Sequence, residues 1–91
     1  MYKIFALNSF KRDLKAIIKR GYDMRLMDEV VTKLSKGEPL PEKNRDHQLT
    51  CEYSGCRECH IKPDWLLIYK IANDELILYS TRTGTHSDLF D

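Results

Sequence analysis

Three histidines and an aspartate are the residues of this chain best suited to moving protons near neutral pH. His47 stands in a polar stretch beside Arg45 and Asp46, His60 precedes Asp64 by four residues, and His86 lies between Thr85 and Ser87. Imidazole titrates near pH ~6.5, so two such groups can serve as base and acid in one turnover. That pair is what cleavage of RNA beside a 2′-hydroxyl requires. A base takes the 2′-hydroxyl proton, an acid protonates the leaving 5′-oxygen, and a cation such as Arg57 or Arg82 offsets charge growing on the phosphate. Trp65 or Phe90 would offer a face on which a base stacks. Taken singly, each histidine reads equally well as a surface or satisfied core residue, and residue types alone leave open whether the three converge.

The elements that would have to position them follow from the patterning. Residues 1–7 read as a short strand. Phe10, Leu14, Ile17 and Ile18 then recur at helical period, with Asn8 or Ser9 as the cap and Gly21 as the stop. Asp23 caps a second helix with Met27, Val30, Val31 and Leu34 on its face, ending at Gly37. The connection at Gly21-Tyr22 is short enough to make the two an antiparallel hairpin. Residues 38–49 contain Pro39, Pro41 and many polar groups, which argues against regular structure over most of that stretch. Strands are expected at 53–62, 65–72 and 75–81, joined by turns at Pro63-Asp64 and Asn73-Asp74. Leu66 to Ile68 is a continuous apolar run, as in a strand buried on both faces. The order β-α-α-β-β-β describes a single α+β domain over 1–91, a helical hairpin packed on a small, mainly antiparallel sheet.

Composition narrows the classes. Ninety-one residues allow one modest core, and 42% apolar with 32% charged residues is ordinary for a soluble protein. No apolar run approaches the ~20 residues of a membrane span, and the first residues do not form a signal peptide, so a cytoplasmic location is expected. The net charge is only +1, yet residues 1–45 carry +5 and residues 46–91 carry −4. The basic half suits an acidic partner or a phosphate backbone, although solvated helix faces account for it as well. Cys56-Arg57-Glu58-Cys59-His60 matches the spacing of c-type haem attachment, but residues three apart in a strand point to opposite faces. The same parity weakens a zinc site built from Cys51, Cys56, Cys59 and His60. Three reduced, half-buried thiols, with no metal and no cofactor, are expected.

The stretches Leu40-Pro41-Glu42-Lys43, Arg45-Asp46-His47, Arg57-Glu58-Cys59-His60-Ile61 and Pro63-Asp64-Trp65-Leu66-Leu67-Ile68-Tyr69, closing with Arg82-Thr83-Gly84-Thr85-His86-Ser87-Asp88-Leu89-Phe90, strongly resemble the YafQ toxins, a branch of the RelE/ParE toxin–antitoxin superfamily. The resemblance covers essentially the whole chain. It implies a RelE-like fold and a ribosome-dependent endoribonuclease that cuts messenger RNA and is held inactive by a cognate antitoxin. It places the catalytic positions on His47, His60, Asp64 and His86, and links Trp65 and Phe90 to activity or substrate contact. Two departures stand out: Cys56 where an aromatic is frequent, and Gln48 where a proline is common. Competing readings are a ParE-like, non-catalytic inhibitor of a protein such as DNA gyrase, and a small metal- or haem-binding module. The superfamily fold permits the first, but an inhibitor has no evident use for three histidines and Asp64.

Overall fold

The apolar run beginning at Trp65 becomes the middle strand of a five-stranded sheet. The computed structural model describes residues 1–49 and 55–83. In chain order they form β1 (Lys3–Ala6), α1 (Asn8–Lys19), α2 (Met24–Ser35), a 3-10 turn (Glu42–Asn44), β2 (His47–Gln48), β3 (Arg57–Lys62), β4 (Trp65–Ala72) and β5 (Glu75–Thr83). The strands are ordered β1-β5-β4-β3-β2; β1 runs parallel to β5 and every other pair is antiparallel. This is the expected α+β architecture with one addition. β2 forms inside the proline-containing loop, because its two residues find a partner in β3.

β4 is covered on both sides, which its unbroken apolar sequence demands. Trp65, Leu67 and Tyr69 face the helices and join Phe10 and Ile17 of α1, Met27, Val30 and Leu34 of α2, and Cys59, Leu76 and Leu78 in one core. Burying a side chain of that size contributes about 1.5–3 kcal/mol. Trp65 is pinned as well as packed: its indole N–H donates to Thr81 Oγ1 (2.8 Å), and Tyr22 meets it edge-on at 5.2 Å between ring centroids. The turn between β4 and β5 places Asn73 and Asp74 at φ 53° and 63°, the two left-handed positions of a tight hairpin.

Local details differ from expectation in three places. The cap of α1 is Leu7, which supplies no side-chain bond, rather than Asn8 or Ser9. Ser9 instead donates its hydroxyl to the Tyr79 carbonyl at 2.6 Å, tying the helix start to β5. Ile18 is 52% exposed and lies outside the core, since one residue beyond Ile17 turns a side chain about 100° around the helix. Cys56 and Cys59 are fully rather than half buried, both as free thiols, while Cys51 lies outside the described residues. The cap of α2 is as expected: Asp23 accepts from the Arg25 N–H at 3.0 Å. Gly21 and Gly37 follow the two helices at φ 80° and 74°, where a Cβ would be strained. No helix among the described residues is long and apolar enough to cross a membrane.

Candidate active site

Strand parity places Glu58 and His60 on the face of β3 opposite Cys59, which points into the core. The two-residue strand β2 then sets His47 directly across from Glu58. One carboxylate oxygen, Glu58 Oε1, stands between the two rings, 3.4 Å from His47 Nε2 and 3.8 Å from His60 Nε2. The rings themselves are 6.5 Å apart between centroids. His47 Nδ1 is 2.7 Å from the Arg45 carbonyl. A carbonyl only accepts, so Nδ1 carries a proton and Nε2 is the atom turned to the carboxylate. Glu58 is 2% exposed, and its second oxygen has no hydrogen-bond partner among the described residues. A buried carboxylate oxygen without a donor is costly, and such groups mark sites built for something other than stability.

The loop that delivers His47 is anchored at each step. Asn44 is buried and donates its side-chain amide to the His60 carbonyl at 2.7 Å. Arg45 then reverses the chain at φ 45°. Asp46 Oδ1 accepts from the Tyr69 hydroxyl at 2.6 Å and from Arg57 Nε at 3.2 Å, and Arg57 and Tyr69 are themselves opposite one another across β3 and β4. Burial and the bond to Asp46 push the Tyr69 phenol well above its ordinary range. For Arg57, burial works against the charge, but its contacts with Tyr69 and Asp46 outweigh it and strengthen its hold on the proton. Finally, the Leu49 N–H donates to the Cys56 carbonyl at 3.0 Å. The ring of His47 is thus held by contacts on both sides of it in sequence.

The sequence-predicted residues do not all gather here. His47 and His60 do. Arg82 lies in the cross-strand row His60–Leu66–Arg82, two strand spacings or about 10 Å from His60, exposed and with Nε donating to Ser80 Oγ at 3.3 Å. Arg57 starts on the Cys59 face of β3, opposite Tyr69, and is committed to Asp46. Asp64 is turned toward the helices, where its Oδ2 accepts from the Tyr22 hydroxyl at 3.3 Å. Trp65, expected to stack on a base, is fully buried with its N–H used internally. Since His60 pairs with Leu66, the side chain of Trp65 emerges on the other face, and it serves the core. His86 and Phe90 lie outside the described residues. Glu58, Asp46 and Asn44 are not singled out by residue type. Glu58 carries a usable signal all the same, since its two-residue spacing from His60 puts both on one strand face.

Comparison with known proteins identifies the family of the chain. The profile of the family described as "Bacterial toxin of type II toxin-antitoxin system, YafQ" matches residues 2–91. The mRNA interferase toxin YafQ of Escherichia coli (strain B / BL21-DE3) is 42% identical over 82 residues, covering 89% of this chain and 87% of its own. A copper-bound mutant toxin from Helicobacter pylori superposes with a TM-score of 0.91 at 40% identity, covering 99% of this chain and all of its own. YafQ in the E. coli DinJ–YafQ complex gives 0.87 at 35% identity over the whole of both chains. By profile, sequence and fold together, this chain belongs to the YafQ family of bacterial type II toxin–antitoxin toxins.

Proposed function

We propose that the chain is an mRNA interferase, an endoribonuclease that cleaves messenger RNA on the ribosome in the cytoplasm, without a metal cofactor, and is neutralised by a cognate antitoxin. The observation that carries this reading is the pair of imidazoles, His47 and His60, flanking one buried Glu58 oxygen in a row of strand positions that leads to Arg82. Relatives named mRNA interferase toxins supply the substrate class, and the E. coli relative crystallised with DinJ supplies the precedent for an antitoxin.

The chemistry is a transesterification. A base removes the proton of the RNA 2′-hydroxyl, the 2′-oxygen attacks phosphorus, and the bond to the 5′-oxygen breaks as an acid protonates it. The products are a 2′,3′-cyclic phosphate and a free 5′-hydroxyl. His47, His60 and His86 are the groups assigned to proton transfer. Glu58 supports positive charge on whichever ring of the His47–His60 pair holds the extra proton, so that ring can act as acid. Arg82, at the far end of the row that begins at His60, binds the RNA backbone through its guanidinium. Asp64 holds the β3–β4 turn against Tyr22 and acts by positioning.

The test is single-turnover cleavage of ribosome-bound message, with the product ends mapped. Cleavage in EDTA that leaves a cyclic phosphate is the expected result. Activity lost on chelation and restored by copper or zinc would replace this mechanism with a metal-assisted one, a pointed comparison because the H. pylori mutant toxin is copper-bound. A chain that never cuts RNA but arrests a protein target would instead support the ParE-like alternative.

A further inference from the structure

A second basic feature lies at the far end of β5. Pairing of β1 with β5 stops at Ala6 and Leu78, so the last residues of β5 have an edge that no strand among the described residues covers. α1 lies along it. Asp13 Oδ2 accepts from the Ser80 hydroxyl at 2.7 Å and from the Thr81 N–H at 3.3 Å, closing the first part of that edge. Past Asp13, helix and strand border a groove of about 340 Å³ lined by Ala16, Ile17, Arg20, Arg82 and Thr83 as well as Asp13 and Thr81. Arg20 Nη1 donates to Thr83 Oγ1 at 2.7 Å across it. The alternation that points the Thr81 N–H at Asp13 points the Thr83 N–H out of the same edge.

The groove therefore has a guanidinium from α1's end, bonded to the Thr83 hydroxyl, and another from β5. Among the described residues neither arginine pairs with a carboxylate, and Asp13 Oδ2 already serves two donors. Lys11, Arg12, Lys15, Lys19 and Arg20 set five cations on and just beyond α1 against Asp13 alone. Two like charges on one small groove are favourable only with an anion to share, and planar guanidinium groups suit a phosphate best. Arg82 also ends the row that begins at His60, so an RNA strand over the histidines would continue toward this groove.

We propose that the α1–β5 groove is a phosphate subsite, in which Arg20, Arg82 and the Thr83 hydroxyl hold a phosphate of the messenger RNA strand neighbouring the one cleaved. The proposal rests on the ribonuclease reading and extends it to Arg20, just beyond α1, which takes no part in proton transfer. Arg20 acts there as a substrate-binding residue.

Binding of a 2′-O-methyl RNA oligonucleotide, which cannot be cleaved, tests it apart from chemistry. Arg20→Gln should weaken binding about tenfold at low salt and flatten the slope of log affinity against log salt by about 0.7. Arg20→Lys should recover much of the loss, and Thr83→Val should reproduce a smaller part of it. On ribosomes, Arg20→Gln should raise the half-saturating concentration while leaving the saturating single-turnover rate unchanged. Unaltered oligonucleotide affinity in Arg20→Gln overturns the subsite. So does a loss confined to vacant ribosomes, which would give the groove to ribosomal RNA. Arg20-dependent binding by a wild-type protein that never cleaves would defeat the ribonuclease reading and leave the groove standing. Cleavage by wild type with Arg20→Gln indistinguishable from it in every assay defeats the groove alone.

Discussion

The two faces of β4 are governed by different rules. Trp65, Leu67 and Tyr69 point to the helices, where polar atoms are matched: the Trp65 N–H has Thr81, and the Tyr69 hydroxyl has Asp46. Leu66 and Ile68 point the other way, into rows that also hold His60, Arg82 and Glu58. There a buried carboxylate oxygen goes unmatched among the described residues. On the first face every local preference agrees with the fold, which is how a sequence specifies a structure. On the second, Glu58 is placed against its own solvation preference, and only a rigid neighbouring core can hold it there. Stability and chemistry are thus segregated by strand parity within one sheet.

The sharpest way to break that division is to remove one large side chain from each face. His60→Ala should cut single-turnover cleavage by about 10²–10⁴-fold with little change in the urea midpoint. Trp65→Ala should do the reverse, costing about 3–5 kcal/mol of stability and lowering activity only as far as the protein unfolds. A folded Trp65→Ala protein with His60-like loss of cleavage would put Trp65 in the site after all.

Glu58→Gln comes next, since it keeps the shape and removes the charge. Expected is a loss of about 1–3 kcal/mol of transition-state stabilisation, a changed pH profile, and stability that does not fall, because the charge removed is buried and half unpaired. A destabilised variant with normal cleavage would assign Glu58 to the fold.

Much of this division is legible in the amino-acid sequence. The strand at 65–72, the Asp23 cap and the Asn73-Asp74 turn all carry local signals, an apolar run, a capping side chain and residues tolerant of positive φ. β2 carries none. Two residues show no periodicity, and the strand forms through its pairing with β3 and the ties of Asp46 to Tyr69 and Arg57 from elsewhere in the sheet. The assembly of His47 with His60 is therefore beyond local reading. Trp65 misleads for a related reason: proximity to His60 in sequence suggests a shared site, whereas the register His60–Leu66, with its shift between His60 and Lys62, sends Trp65 to the opposite face.

The tie at Asp46 gives the next test. Asp46→Asn keeps an acceptor but loses the charge that holds Arg57, and should cost about 1 kcal/mol of stability with a larger proportional effect on cleavage, because β2 loosens before the core does. Tyr69→Phe should resemble it. Hydrogen exchange at Gln48 and Leu49 would report the loosening directly, and unchanged protection there would show that β2 stands without its anchor.

The smallest effect expected at neutral pH belongs to the core face. Burial pushes the Cys59 thiol and the Tyr69 phenol well above their ordinary values, and the Cys56 thiol is raised by burial too. An acid whose folded value is raised keeps its proton while the unfolded chain gives its own up. The unfolded state then binds fewer protons, and stability falls as pH rises. The contribution is complete below the unfolded values, about 8.5 for cysteine and about 10 for tyrosine, and declines above them. Urea midpoints should therefore be flat in this respect from pH 6 to 8 and drop between pH 9 and 11. Replacing Cys56 and Cys59 together by Ala should leave cleavage intact and make that alkaline decline shallower. The Cys56 and Cys59 thiols should also resist iodoacetamide at pH 7.5, since the thiolate is the reactive form. Rapid alkylation of Cys59 in folded protein would mean that the core face opens on its own, and the division between the two sides of β4 would then be one of degree.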